Sequence, residues 1–189
     1  MKSQLKNYIL QKLGRQPDHL DYVIDHFKAV ETRRKQVLVE EGSVCQYCYF
    51  IVEGCLITST INRNGEERTI DMAFEQEWRT AMRSFVNRQP SHERLISAEP
   101  SKLLAIHRDD FQKLADTIPP FEHIYKAVLQ KAYTNSVERI QSLMAMDALE
   151  RLEYLLTVHP LIFTRLSNKL IASYLRLSPA TLSRLKAKL

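Results

Sequence analysis

The chain of 189 residues is expected to be an α+β protein: an antiparallel β-roll preceded by helices, then one long helix, then a small all-helical domain. Three observations carry that expectation. The apolar period changes from 3.6 to 2 near Arg33 and returns to helical spacing after Ile106. Every glycine lies at or before Gly65, where it punctuates short strands. The last residues, SNKLIASYLRLSPATLSRLKAKL from Ser167 to Leu189, hold two short amphipathic helical patterns separated by almost nothing. The expected boundaries are 1–118 for the roll with its leading helices, 119–146 for the connecting helix and 147–189 for the terminal domain.

In order, residues 1–14 read as an amphipathic helix on Leu5, Tyr8, Ile9 and Leu13, ended by Gly14 and then Pro17. His19 to Val30 reads as a second, with Leu20, Val23, Ile24 and Phe27 on one face. Both would lie as lids on the roll. Strands are expected at Gln36–Val39, Tyr47–Val52, Cys55–Ile61, Arg68–Phe74, Glu93–Ala98 and Lys102–Ile106. Turns fall at Glu41-Gly42 and Glu53-Gly54, with a hairpin turn at Asn62-Arg63-Asn64-Gly65. Short strands at such spacing indicate a compact antiparallel barrel or roll. Between Glu75 and Pro90 the alternation breaks, and Trp78, Met82 and Phe85 suggest a helical insert.

Asp109 to Ala115 makes a helical turn, which Pro119-Pro120 ends. A long helix then runs from Phe121 to about Met146, with Ile124, Tyr125, Val128, Val137, Ile140, Leu143 and Met144 among its apolar positions. That is too much apolar surface for an isolated helix. It packs on its own roll or on a symmetric partner, two-fold dimers being the commonest assembly. The polar run Thr134-Asn135-Ser136 counts against an uninterrupted coiled coil. Ala148–Val158 is a further helix, ended by Pro160.

At the C-terminal end, Asn168–Leu175 presents Leu170, Ile171, Tyr174 and Leu175 on one face, with Ala172 at a point of close approach. Ser178 is an N-cap residue followed by Pro179 at the first helical position, where its missing N–H is harmless. Leu182, Leu185 and Leu189 recur at helical spacing, while Ser183, Arg184, Lys186 and Lys188 face away. Two helices joined by so short a turn make a helix-turn-helix, whose second helix enters the DNA major groove. Arg176 stands where the turn needs a left-handed backbone, which costs a non-glycine residue roughly 1 kcal/mol. Charge agrees. From Arg151 onward the chain has seven Lys/Arg (151, 165, 169, 176, 184, 186, 188) against one acid, Glu153, so the basic excess of a chain of net charge +5 lies there.

A composition of 44% hydrophobic and 26% charged residues is that of a globular domain. No run approaches 18 apolar residues and MKSQLKNYIL lacks the apolar core of a signal peptide, so neither a membrane span nor export is expected, and the location is read as cytoplasmic. Cys45, Cys48 and Cys55 are too few for a four-ligand zinc or iron–sulfur site. Cys48 and Cys55 lie among Tyr47, Tyr49, Phe50, Ile51 and Val52, as small buried hydrophobes do; a redox-sensing role is the alternative. The six histidines are scattered singly, with no Ser/His/Asp, metal or phosphate-cradling pattern. No enzyme activity, cofactor or metal is therefore expected.

Two stretches carry a resemblance: EEGSVCQYCYFIVEGCLITSTINRNGEERTIDM, with Gly42, Gly54 and Gly65 at roll turns, and DALERLEYLL followed by LSNKLIASYLRLSPATLSRLKAKL. In this order they resemble the catabolite-activator (Crp/Fnr) family, particularly its short branch with a degenerate sensor domain. The resemblance implies a cyclic-nucleotide-binding-type roll, a dimerisation helix and a winged helix-turn-helix, assembled as a homodimer on two DNA half-sites. Leu189 follows directly on the recognition helix, so the β-wing is expected to be truncated or absent. Nucleotide-binding members hold the phosphate with a Gly-Glu pair and then an Arg-Ser/Thr pair; Thr80-Ala81 and His92-Glu93 stand there instead, so cyclic AMP binding is not expected. Arg79, Arg83, Arg88 and Arg94 are weak candidates for receiving some other anion. The cysteines do not match the N-terminal cluster of oxygen-sensing members.

Carried over by position, the base-edge candidates are Pro179, Ala180, Ser183 and Arg184, with Arg184 suited to guanine O6 and N7. Phosphate contacts would come from Ser167, Lys169, Ser178, Thr181 and Lys188. The function so implied is a sequence-specific DNA-binding transcription regulator controlled by an unknown signal at the roll. Double-stranded DNA is its main partner, with RNA polymerase and a small effector as candidates. A ligand- or protein-binding module of the same fold that has lost DNA recognition is the rival reading.

Overall fold

A computed structural model describes residues 1–14 and 17–189. The N-terminal helix α1 (Lys2–Leu13) stops at Gly14, whose left-handed backbone closes the last turn. It inserts Leu5 and Ile9 into the core and is a lid, as expected. The second helix is shorter than its pattern. α2 covers only Leu20–Asp25, and the chain then becomes strand β1 (Lys28–Thr32), not a helix to Val30. Leu20, Val23 and Ile24 are buried as the pattern requires, but Phe27 is buried from the connection and Val30 packs from an extended segment paired with a later strand.

The remaining strands are β2 (Val37–Val39), β3 (Tyr47–Glu53), β4 (Leu56–Ile61), β5 (Glu67–Ala73), β6 (Trp78–Arg79), β7 (Arg94–Ser97) and β8 (Ser101–His107). They form two antiparallel sheets, ordered β1-β8-β3-β6 and β2-β7-β4-β5. In the first, Tyr47 lies opposite His107 and Ile51 opposite Leu103. In the second, β4 is central, with Leu56 opposite both Ala73 and Ser97. Asn62 builds the β4–β5 turn by accepting the N–H groups of Asn64 and Glu66 at 2.9 Å each. Gly54 turns β3 into β4 at φ 108°, and a Cβ there would meet Ser101 Oγ at 2.1 Å. Only glycine fits that position.

The helical insert is α3 (Met82–Asn87); Trp78, expected within it, is instead in β6, paired through Phe50. From there its ring meets Phe50, Phe27, Tyr8 and Phe111 at centroid separations of 5.2 to 6.3 Å. Tilted and edge-on rings at this range contribute beyond their buried area. They tie α1, both ends of the roll and α4 (Arg108–Thr117) into one core.

Pro119 and Pro120 both end α4 and open the long helix α5 (Pro119–Ala145). Thr134-Asn135-Ser136 lies within the helix, where Ser136 donates its hydroxyl to the Ala132 carbonyl. Phe121, Ile124 and Val128 pack on the roll core. Further on, Tyr133, Ile140 and Met144 are 72%, 56% and 83% exposed, and with Val137 they recur at 4-3-4 spacing. That is the spacing apolar residues take in a coiled-coil seam.

α6 (Ala148–Val158) opens on a capping box: Asp147 accepts the N–H groups of Leu149 and Glu150, and Glu150 accepts the Asp147 N–H. After it come α7 (Ile162–Arg165), α8 (Asn168–Leu175) and α9 (Pro179–Lys186). No helix among the described residues is long and apolar enough to cross a membrane.

Candidate functional site

α8 and α9 are each started by a serine. Ser167 accepts the Leu170 N–H, and Ser178 accepts the Thr181 N–H at 3.0 Å, with Pro179 in the first turn of α9. Between the helices Arg176 adopts φ 59°, the left-handed geometry its position demanded. Its N–H donates to Ser173 and the Leu177 N–H to Ala172, the bond pair that terminates a helix on a left-handed residue. Ala172 is buried in the same apolar cluster as Leu182 of α9. Arg176→Gly should therefore stabilise the protein by about 0.5–1 kcal/mol, since glycine removes the steric cost but adds chain entropy to the unfolded state; thermal unfolding measures this, and a lower melting temperature would contradict it.

The burial of α9 is one-sided. Leu182 is fully buried and Leu185 partly so, while Pro179, Ala180, Ser183 and Arg184 are all exposed. The four base-edge candidates thus stand together on one open face. Ser167, Lys169, Ser178 and Lys188 are exposed as well. Thr181 is half-buried, its hydroxyl 2.9 Å from Ser178 Oγ and 3.4 Å from Arg184 Nη2, so it steadies both the cap and the arginine.

This helix pair is docked on its own roll, which no local pattern announced. Ile57, Met72, Phe74 and Ile96 on the outer side of the second sheet form one apolar cluster with Leu152, Leu155, Ile162, Leu166 and Ile171. Ser173 Oγ accepts the Thr69 N–H at 2.9 Å, and the His159 ring lies 4.2 Å from that of Phe74. Arg165 closes the interface. It holds Glu75 with two parallel bonds of 2.7 and 3.0 Å and also reaches Glu99. Burial works to raise the Glu75 carboxyl, but Arg165 and the Gly54 N–H outweigh it and hold it below the usual carboxylate range. Burial, helped by Arg165, pushes the His159 imidazole down. At the end of α8, Arg151 donates to the Leu175 carbonyl and Arg139 to that of Tyr174.

A cavity of about 870 Å³ lies between β5, β6 and α5, with Tyr8, Trp78, Arg79, Thr80, Ser136 and Arg139 on its wall. It is large enough for a small-molecule ligand. The four arginines proposed from the sequence do not converge there. Arg79 lines the cavity, bound to Asp71 and the Met72 carbonyl. Arg88 pairs with Asp109, Arg94 with Glu40 and Glu67, and Arg83 is exposed. Thr80 is buried and donates its hydroxyl to the Tyr47 carbonyl at 2.9 Å.

Cys45, Cys48 and Cys55 are buried free thiols, and burial pushes Cys48 and Cys55 well above the ordinary thiol range. Such thiols are poor nucleophiles. Among the described residues no group of three or more His, Cys, Asp and Glu is placed to hold a metal ion.

An antiparallel roll with a ligand-sized cavity, a long helix along it and a pair of short terminal helices joined by a tight turn is a fold that known structures share. Residues 29–117 match the family model described as the cyclic nucleotide-binding domain, and the resemblance read from the sequence is borne out. Among solved structures the chain is similar to FixK2 from Bradyrhizobium japonicum, with 16% identity over 86% of this chain and 84% of that one and a TM-score of 0.73. The catabolite activator protein of Thermus thermophilus aligns at 20% identity over 96% and 86% of the two chains, with a TM-score of 0.58. The c-di-GMP responsive global regulator CLP of Xanthomonas campestris aligns at 17% over 88% and 87%, with a TM-score of 0.68. No curated protein matches the chain.

Proposed function

We propose that the protein is a homodimeric, sequence-specific DNA-binding transcription regulator that reads an inverted repeat through α9. The observation that carries this reading is the open face of Pro179, Ala180, Ser183 and Arg184 opposite the buried Leu182. The N-terminal residues of a recognition helix contact base edges. Arg184 offers a two-pronged donor to guanine, and Pro179 and Ala180 offer apolar contact to a thymine methyl. Ser167, Lys169, Ser178, Thr181 and Lys188 set the register on phosphates. The basic excess from Arg151 onward suits that task.

The dimer is supported by the Tyr133, Val137, Ile140 and Met144 seam, three of whose four side chains stand largely open in the protomer. Ile140→Glu together with Met144→Glu should convert a sedimenting dimer into a monomer and weaken operator binding at least tenfold, since half-site binding then loses its tethered partner. A double variant that stays dimeric would overturn this assignment of the seam.

Control comes from a signal at the roll other than cyclic AMP. Supporting this, Thr80 and Ala81 replace the phosphate-cradling pair, the Thr80 hydroxyl is committed to Tyr47, and Arg79 is committed to Asp71. The signal changes the angle between the two recognition helices, which requires that it bind the two states differently. RNA polymerase is the partner through which bound regulator would act. The cysteine-based alternative is disfavoured by the burial of all three thiols, and the location remains the cytoplasm in this reading.

A further inference from the structure

The turn between β1 and β2 carries three consecutive cations, Arg33, Arg34 and Lys35, all exposed. Its backbone is firmly held. The Gln36 N–H donates to the Arg33 carbonyl at 3.0 Å and the Lys35 N–H to the Ser97 carbonyl at 2.7 Å. The Gln36 side-chain oxygen accepts the Arg33 N–H at 2.9 Å. Lys35 is the left-handed residue of the turn, at φ 66°. Glycine takes that geometry without strain and lysine does not. Among the described residues neither the Lys35 nor the Arg33 side chain joins an ion pair: Glu99 is bound by Arg165, and Glu31 lies opposite Lys102 across the strands. No contact within the chain accounts for a lysine at this position.

Arg34 joins this turn to the terminal helices. Its Nε donates to the Ala98 carbonyl at 3.2 Å and its Nη2 to the Arg165 carbonyl at 3.4 Å. Arg165 ends α7, and Ser167, two residues on, is the N-cap of α8. Two residues span about 7 Å at most, which puts the Arg34 guanidinium within roughly 10 Å of the Ser167 backbone. That is the end of α8 where Ser167 and Lys169 are proposed to meet phosphate. DNA carries one charge per about 1.7 Å of its axis, so a duplex touching α8 there has further phosphates within reach of the turn.

We propose that the Arg33-Arg34-Lys35 turn of the roll is a second DNA-contact surface, which takes phosphates of the duplex flanking each half-site, outside the base pairs that α9 reads. Its ligand is the backbone of double-stranded DNA, whatever the sequence, since phosphate contacts supply affinity and register without reading bases. Docking sets this geometry: the Arg165 bonds to Glu75 and Glu99 that fasten α7 to the roll also hold the turn beside α8. The basic residues from Arg151 onward are thereby joined by three from a distant part of the chain. The inference rests on the reading of α8 and α9 as the DNA-contacting helices and adds the roll to their footprint.

Two duplexes sharing the selected operator test it, one ending at the outer edges of the half-sites and one extended on each side by a helical turn of about ten base pairs. On the extended duplex the double variant Arg33→Gln with Lys35→Gln should bind about tenfold or more weakly, its salt slope lowered by about 1 for each phosphate no longer neutralised. On the trimmed duplex it should match the unaltered protein. Both side chains are exposed, so thermal unfolding should stay as it was. Lys12→Gln with Lys113→Gln removes the same charge from exposed sites on α1 and α4 and should leave binding to both duplexes nearly unchanged. Unchanged affinity and slope on the extended duplex, an equal loss on both duplexes, or an equal loss in the Lys12 and Lys113 variant overturns the proposal. A protein that selects an inverted repeat but is indifferent to the turn sinks this inference alone. One that selects no repeat sinks the reading of α9, and this inference with it.

Discussion

Arg165→Ala is expected to free the helix-turn-helix from the roll, weakening the docked state by about 2 kcal/mol, or roughly thirtyfold faster opening of α6 to α9 by hydrogen exchange. Losing one partner of a fully buried ion pair costs about 3–5 kcal/mol, and partial solvent access lowers the figure. Here the Arg165, Glu75 and Glu99 side chains retain 28%, 37% and 17% of their exposure. The substitution leaves Glu75 and Glu99 facing each other unpaired and removes the cation stacked on Phe74. Roll amides of β3 and β8 should keep their protection. Unchanged exchange throughout α6 to α9 would show that the apolar cluster alone holds these helices on the roll.

Acid should act on the same interface. His159 has a depressed pKa in the folded protein, so its neutral form favours docking; that contribution is complete above the ordinary value of 6.5 and is lost as pH falls below it. Glu75 is depressed as well, and its contribution is complete above 4.5 and lost as pH falls through the lower folded value. Exchange of α6 to α9 should therefore rise first below about pH 6.5 and again in the acid carboxylate range. Arg165→Ala should diminish the second step, because the cation that does most to depress Glu75 is gone while the Gly54 N–H bond remains.

The second large effect is on recognition. Arg184→Ala should weaken binding to the matched operator by about 1–3 kcal/mol per half-site while leaving non-specific duplex nearly as before. Lys169→Ala and Lys188→Ala should do the opposite, weakening both duplexes alike and each lowering the salt slope by about 1 for every phosphate it no longer neutralises. Titrations at two salt concentrations separate the two behaviours. Equal losses on specific and random DNA for Arg184→Ala would make it a phosphate contact.

Which of these features are legible in the sequence follows from their range along the chain. Strands β3, β4, β5 and β8 are readable because each alternates or stays apolar between turn residues. β1 is not: Lys28–Thr32 buries only Thr32 fully, an edge strand that continues the apolar spacing of α2. β6 has two residues, too short for any period. The helix-turn-helix is readable down to the left-handed turn at Arg176, since caps and turn chemistry are local. The capping box of Asp147 and Glu150 is equally local, and its residue spacing is signal enough to find it.

Docking is invisible in the sequence because it joins residues far apart. Arg165 meets Glu75 across 90 positions and Glu99 across 66. In sequence its charge adds to that of the lysines proposed to face DNA, although its side chain turns inward to the roll. Arg79, Arg83, Arg88 and Arg94 are neighbours along the chain, but strand β6, the turn that ends α3 and strand β7 send three of them to different acids. Arg139 carries no signal, since an arginine on a long helix reads as solvated until both its neighbours are known.

The central claim is that α9 reads DNA sequence as part of a two-fold dimer. Selection of retained duplexes from a random pool by the purified protein, followed by sequencing, tests it most directly. The account predicts an enriched inverted repeat whose half-sites lie about one helical turn apart, with a guanine in each half whose enrichment disappears in Arg184→Ala. Retention of unenriched DNA that is lost as salt rises would contradict it and leave only electrostatic attraction to the basic C-terminal segment.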